Sequence, residues 1–582
     1  MIANHSLFSG STVYDWLQVM WHGMSLDCSV AGYLTIIPAL LLIASIWIGK
    51  RWLRQAMRIY FCLAAFIVAL LFVLNAALYS YWGFPLDVTP FFYFMSSPAD
   101  AFASITPLMA IGGVLAIVVI TIAVWMLFSH TVLAIHTTPV RRKILATVTM
   151  VMLTALLFLP IRGGITVAAA NTGKVFFSAD MRKNHAAVNP VFSLMESIGH
   201  ETDFSSQYRF MDDKLADKLF SELSYTASAE DIDTLFTTNR PDIYIIVLES
   251  FSSKLMKTLG GREDVAVNLD SLVKEGVLFT NFYANSFRTD RGLVAILSGY
   301  PAQPTTSIMK YPRKTEHLPS LAEKLHEAGY GNRYYYGGDA NFTNMRSYLM
   351  AAGFQDIISD EDFPVIDRIS KWGVPDHLVF RRVLSDLRKE TYDKPMLRVI
   401  QTSSSHEPFD VPYHRLDNPA LNAFAYTDSV VGNFIKEIKR QKEWEHTIVV
   451  LVPDHLGCWP ENISNQIPER YQIPLLLLGG AIREPREVSV IGSQQDIAAT
   501  LLSQLGLSHS DFTFSKDMLD RRAPHFAFFT VPDLFGMVTI DNTIIHDNQS
   551  GRVVYDSGDK KGVNLLPGKA YLQKLYDDLG RR

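Results

Sequence analysis

Cysteine is scarce in this chain. Three occur in 582 residues, Cys28, Cys62 and Cys458. The first two fall in or beside a strongly apolar half, so the other half can assemble neither a disulfide framework nor a cysteine metal cluster. That scarcity does not exclude an oxidising compartment; it means that a domain there must be held by its core. Basic tracts for nucleic acid are also missing, and the net charge is only −5, so nucleic acid is excluded as a partner. Long apolar runs are absent after residue 165, whereas residues 30–165 are dominated by them. The chain therefore divides into a membrane half and a half with the composition of a soluble α/β protein, and its length calls for more than one domain.

Within a transmembrane domain at 1–165, the apolar runs predict spanning helices near 30–49, 59–81, 105–128 and 144–162, since a bilayer takes about 20 residues per crossing. Lys50, Arg51, Arg54 and Arg58 lie between the first two, and Arg141, Arg142 and Lys143 between the last two. The loop 82–104 carries Asp87 and Asp100 and no lysine or arginine. By the positive-inside rule the basic loops are cytoplasmic, and the C-terminal half lies outside the inner (cytoplasmic) membrane of a bacterium. Residues 1–29, with Asp15, His22 and Asp27, read as too polar to span and do not resemble a cleaved signal. An external N-terminus of this kind predicts a start downstream of the true one and a missing fifth helix. The membrane half reads equally as an anchor or as a binding site for lipid.

Residues 166–238 read as a juxtamembrane linker, with an amphipathic helix at Lys214–Leu223 and irregular chain at 168–173 and 189–192. From 239 to 525, β-branched runs alternate with helical stretches, the mark of a largely parallel sheet. Candidate strands are Ile243–Leu248, Asn332–Tyr336, Leu397–Gln401, Ile448–Val452 and Pro474–Leu478. Three of them end in chemistry: Glu249 after the first, Thr402-Ser403-Ser404-Ser405-His406 after the third, Asp454-His455 after the fourth. Ligands of open α/β sheets bind outside the carboxyl ends of strands. Residues 526–582 predict a C-terminal antiparallel subdomain with strands at Phe526–Thr530, Met537–Ile540 and Val553–Tyr555, then a helix at Ala570–Leu579.

Thr289 opens a predicted helix in Ser286-Phe287-Arg288-Thr289-Asp290-Arg291-Gly292. A helix N-terminus favours an anion, and a hydroxyl there can hold a phosphoryl group if a metal takes its proton. It is also an ordinary place for a threonine cap. Glu249, Asp454 and His455 offer oxygen and nitrogen ligands suited to Mn²⁺, Zn²⁺ or Mg²⁺, and Thr289 would complete a set of four.

The runs 245–252 (Ile-Ile-Val-Leu-Glu-Ser-Phe-Ser), 286–292, 404–409 (Ser-Ser-His-Glu-Pro-Phe) and 452–457 (Val-Pro-Asp-His-Leu-Gly) together resemble the lipoteichoic acid synthase-like family of the alkaline phosphatase and sulfatase superfamily. The resemblance covers roughly residues 240–510. It implies an α-helical multi-span membrane domain followed by an α/β sulfatase-like domain with a mostly parallel sheet. It also implies one divalent metal, Mn²⁺ foremost, held by Glu249, Thr289, Asp454 and His455, with Thr289 as nucleophile and His406 near the substrate phosphate. The family's His-Gly and Phe-Trp-Asn-Arg segments are changed here: Tyr336 replaces the histidine, Phe342 the tryptophan and Asn344 the arginine. Arg288, Phe342, Arg346 and Trp372 are the remaining candidates for the substrate pocket.

The formylglycine motif Cys-x-Pro-x-Arg is lacking; Cys458-Trp459-Pro460-Glu461-Asn462 has no arginine. No second Asp/His set for a multi-metal phosphatase is apparent, and cysteines for a disulfide-rich phosphoethanolamine transferase domain are missing. The expected function is transfer of a phospho-alcohol head group, of phosphoglycerol or phosphoethanolamine type, from a membrane phospholipid donor to a glycan or lipid acceptor. A phosphodiesterase, phosphatase or sulfuric-ester hydrolase of the same superfamily, or a non-catalytic lipid sensor of the same fold, are the alternatives.

Overall fold

The described residues of the computed structural model are 1–582 without 49, 89–106, 132–139, 167, 179, 201–202, 225–231 and 391–393. Asp100 and most of the expected loop 82–104 lie outside them. The chain separates into two units, Met1–Thr202 and Asp203–Arg582.

In the first unit four helices are long and apolar enough to cross a membrane: Val13–Ser45, Trp52–Ser80, Ala110–Ser129 and Lys143–Arg162. The first starts well before the expected residue 30, and Asp15, His22 and Asp27 lie within it. Its 33 residues extend for about 50 Å, against about 30 Å of hydrocarbon core, so the polar turns need not sit in lipid. Those turns are also satisfied. Thr12 and Asp15 form a capping box, Lys183 Nζ meets Asp15 Oδ1 at 2.6 Å, and Asn189 Nδ2 donates to Asp27 Oδ1 at 2.6 Å. His22 stacks on Phe177.

The run 189–192, expected to be irregular, instead opens the helix Pro190–His200. Pro190 takes a first-turn position where its missing N–H costs nothing, and Asn189 Oδ1 accepts from the N–H groups of Val191 and Phe192. Within 168–173, Thr172 and Gly173 enter a short 3-10 turn, Thr172–Val175.

The second unit is built on an eight-stranded sheet. Its strands are β1 (Asp242–Leu248), β2 (Val277–Tyr283), β3 (Gly331–Tyr336), β4 (Ile357–Ile358), β5 (Met396–Gln401), β6 (Thr447–Pro453), β7 (Leu475–Leu478) and β8 (Arg486–Ser493), in the order β4-β3-β5-β1-β6-β7-β2-β8. All neighbours are parallel except those of β7, which is antiparallel to both β6 and β2. Both faces are covered: Ile243, Ile245 and Val247 of β1 enter one apolar core, while Tyr244, Ile246 and Leu248 enter the other. Such two-sided burial is why these strands read as unbroken apolar runs. The in-register pairs Val247↔Gln401 and Leu248↔Pro453 bring the carboxyl ends of β1, β5 and β6 side by side.

The C-terminal sheet has four strands, β9 (Ala527–Val531), β10 (Leu534–Val538), β11 (Thr543–Asp547) and β12 (Arg552–Ser557), all antiparallel. The expected three omitted β11, whose five residues have polar ends and a buried His546 packed against Phe535. The helix Leu565–Arg581 follows, and Asp213–Leu223 packs with it through Lys574 and Asp217.

Candidate active site

Glu249 leaves β1 into a tight bend in which Ser250 is left-handed, with φ +64°. The bend is over-determined. The Glu249 N–H donates to Thr402 Oγ1 at 2.9 Å, and Ser405 Oγ donates to the Glu249 carbonyl at 2.7 Å. The Ser250 N–H donates to Asp454 Oδ1, and its hydroxyl donates to Glu249 Oε1 at 2.6 Å. Backbone strain held this firmly belongs to a site that needs one geometry. Gly457 makes the bend possible, since a Cβ there would lie 2.4 Å from that of Ser250.

Asp454 and His455 follow β6, both buried. Asp454 Oδ1 accepts from the N–H groups of Ser250 and His455, whereas Oδ2 is buried and has no hydrogen-bond partner. The His455 ring places Nδ1 3.1 Å from the Leu456 carbonyl, which makes Nδ1 a donor and turns Nε2 toward the carboxylates. Nε2 lies 3.5 Å from Asp454 Oδ2 and 3.7 Å from Glu249 Oε1. One ligand atom from each of Glu249, Asp454 and His455 falls within 4.8 Å of the others. Burial and the neighbouring Asp454 charge push the Glu249 carboxyl well above its ordinary range.

Thr289 begins the helix Thr289–Ser298, and Arg288 at its N-cap makes no side-chain cap. The Thr289 hydroxyl lies 3.4 Å from Glu249 Oε2 and 3.5 Å from His455 Nε2. It therefore points at the carboxylate–imidazole cluster rather than back at its own helix, which separates it from an ordinary cap. Gly292 sets that approach: a Cβ there would fall 2.1 Å from the Asp454 carbonyl oxygen. Arg291, also in the motif, supports structure by donating to the Thr306 carbonyl at 2.8 Å.

His406 sits on the loop after β5 and packs against Trp372, with ring centroids 4.1 Å apart and planes tilted by 45°. Phe342 meets that indole edge-on at 5.7 Å, so Trp372 joins the three rings into one cluster. Trp372 is fixed by its indole N–H, which donates to the Glu407 carbonyl at 2.6 Å. Burial, then the nearby His455, lowers the His406 pKa below 6.5. Arg288 is exposed beside Thr289. Arg346 is already engaged, with Asn341 at 3.0 Å, Ser359 at 3.2 Å and Glu361 at 3.6 Å; its guanidinium braces the 339–361 segment.

The supports of this site carry no signal in the sequence. Asp376 accepts from the N–H groups of Ser403 and Ser404 and from Thr427 Oγ1, pinning the loop that carries His406. Gln494 Nε2 donates to the carbonyls of Pro453 and Asp454, both at 2.7 Å, while its Oε1 accepts from the Asn285 N–H at the start of the Thr289 motif. These side chains act on partners 27 to 209 residues away, and no local periodicity marks them.

Residues 241–507 match the sulfatase family. This domain is a sulfatase-family domain. It is 26% identical over 280 residues to phosphoglycerol transferase I of Xanthomonas campestris pv. campestris, covering 44% of this chain and 40% of that protein. The chain thus spans less than half the length of that curated relative. Among solved structures, a protein in the alkaline phosphatase superfamily from Vibrio parahaemolyticus is similar at 25% identity with a TM-score of 0.54, covering 63% of this chain and 97% of its own. Lipoteichoic acid synthase LtaP from Listeria monocytogenes shares the fold at 17% identity and a TM-score of 0.50, with the same coverage.

Proposed function

We propose that this protein transfers a phospho-alcohol head group, phosphoglycerol foremost, from a membrane phospholipid to a glycan or lipid acceptor outside the bacterial inner membrane. The observation that carries the reading is the Thr289 hydroxyl, held at a helix N-terminus against Glu249 and His455. The similarity to a phosphoglycerol transferase supports the head-group class.

The donor set fits a divalent cation. Asp454 Oδ2 is a buried carboxylate oxygen with no hydrogen-bond partner, and His455 presents Nε2 3.5 Å from it. Glu249, Asp454, His455 and Thr289 would hold one ion, Mn²⁺ before Zn²⁺ or Mg²⁺. Such an ion lowers the pKa of a bound hydroxyl and neutralises phosphate charge.

The chain's own residues then divide the work. The first-turn N–H groups of Thr289–Ser298 face the phosphate and oppose the charge that builds in the transition state. Thr289 Oγ1 attacks phosphorus, the diacylglycerol oxygen leaves, and a phosphothreonine ester results. His406 donates Nδ1–H to the Glu407 carbonyl at 3.1 Å, which leaves its Nε2 as a base. In the first half-reaction the proton released by Thr289 reaches that nitrogen through solvent and passes to the leaving diacylglycerol oxygen; in the second the nitrogen takes the proton of the acceptor hydroxyl, which returns to Thr289 as the ester breaks.

Thr289→Ala should abolish turnover in a protein of unchanged far-UV spectrum, and full activity in that variant would refute the nucleophile. Measuring product with and without an acceptor alcohol separates transfer from hydrolysis: a transferase forms the alcohol ester in preference to free glycerol phosphate.

A further inference from the structure

Beyond the phosphoryl-transfer site, one surface segment stands apart. Among the described residues of Asp203–Arg582, four large apolar side chains are more than 60% exposed: Val365 at 78%, Ile366 at 83%, Ile369 at 63% and Ile540 at 89%. Three of these four lie within five consecutive residues, and that segment runs directly into Trp372. Isolated exposed aliphatics are ordinary; a cluster is not.

The segment is built to present them. Val365–Asp367 is a 3-10 turn. Arg368 staples its base, donating through Nη2 to the carbonyls of Glu361 and Phe363 at 3.2 and 3.1 Å, and Phe363 is buried beneath. Ser370 and Gly373 then exchange backbone hydrogen bonds at 3.1 Å, which puts the exposed Lys371 and the half-buried Trp372 at a second tip. An aliphatic turn, a lysine whose stem can snorkel and a tryptophan with its N–H satisfied are the side chains that partition into a bilayer interface. Asp360, Glu361, Asp362 and Asp367 border the turn, so electrostatics toward anionic lipid cannot be the source of binding, and only the apolar tip can enter.

We infer that residues 364–372 are a membrane-docking element that seats the edge of the candidate active site on a lipid bilayer. The occupant is lipid rather than a protein because the same chain carries four helices fit to cross a membrane, and because the segment ends in Trp372, packed on His406 of a site whose proposed donor keeps its acyl chains in the bilayer. Insertion of the tip brings a phospholipid head group to Thr289 without lifting the lipid out. The inference rests on the phospholipid-donor reading for its purpose, but not for its measurement.

The test uses the full chain with Cys28→Ser, Cys62→Ser and Cys458→Ala, reconstituted in vesicles of phosphatidylethanolamine and phosphatidylglycerol. A single environment-sensitive fluorophore is attached through Ile366→Cys or, as the isolated exposed control, Ile540→Cys. The label at 366 should be blue-shifted and quenched by lipids spin-labelled near the head group, with little change at high salt, while the label at 540 stays in water. A 366 label as solvated as the control would overturn the inference. Quenching or a blue shift that grows only with protein density would do the same, pointing to a second copy.

The double variant Val365→Ser/Ile366→Ser should lower turnover of bilayer phospholipid by about tenfold or more while sparing a short-chain, water-soluble phosphodiester; equal rates on bilayer lipid would count against docking. Because the fluorescence needs no turnover, failure of the transferase reading leaves it intact. Conversely, a solvated label in an enzyme active on bilayer lipid removes the docking element alone.

Discussion

In Met1–Thr202, Asp15 meets Lys183 and Asp27 accepts from Asn189, each at 2.6 Å. In Asp203–Arg582, Asp454 gives one oxygen to two backbone N–H groups and keeps the other buried without a partner. The two aspartates of the first unit are matched by groups of the same unit, which is what a helix with polar turns needs in order to pack. The aspartate of the second is matched only in part, beside the Glu249 carboxylate and the His455 ring. An unmatched buried carboxylate is costly, and it persists where something other than protein completes it. The contrast separates polar residues matched within the fold from those that are not.

Breaking the second unit's arrangement should have the largest effect. Asp454→Asn keeps the shape and removes the charge; Mn²⁺ affinity read by calorimetry should fall by about a hundredfold or more, and turnover with it. Gly292→Ala introduces a Cβ where the Asp454 carbonyl already lies, and should cost about 1–3 kcal/mol in denaturant unfolding while weakening Mn²⁺ binding. Asp27→Ala in the first unit removes a satisfied partner. It should cost about 1 kcal/mol in thermal stability of the detergent-solubilised chain and leave Mn²⁺ affinity unchanged; a loss of metal binding there would erase the distinction between the units.

The smallest effect concerns pH. His406 is lowered below 6.5 chiefly by burial, so the unfolded chain takes up a proton first as pH falls. Its contribution to stability is present above 6.5 and is lost as pH drops through the folded-state value. Comparing unfolding of the parent and His406→Gln between pH 7 and 5 should show a shallower slope in the variant.

Much of the second unit was legible in sequence because its central strands are buried on both faces. Ile243–Leu248 and Ile448–Val452 are continuous apolar runs, and chemistry at their ends stands out against them. β2 and β8 escaped notice for the opposite reason: Thr280 and Asn281 interrupt one, and Arg486, Glu487 and Ser489 the other. The supporting groups Asn285, Asp376 and Gln494 were illegible because an amide or carboxylate announces nothing until its distant partner is known. In the first unit, Asp15, His22 and Asp27 made a helix look like a polar tail, since their partners at 177–189 lie far along the chain.

The central claim is that Thr289 carries the phosphoryl group. Its most direct test is peptide mass spectrometry of the full chain quenched during turnover with Mn²⁺ and phosphatidylglycerol. A phosphoglycerol adduct confined to Thr289, and absent when Mn²⁺ is omitted, is the predicted result. Sustained turnover with Thr289 unmodified, or an adduct on another residue, would contradict the account.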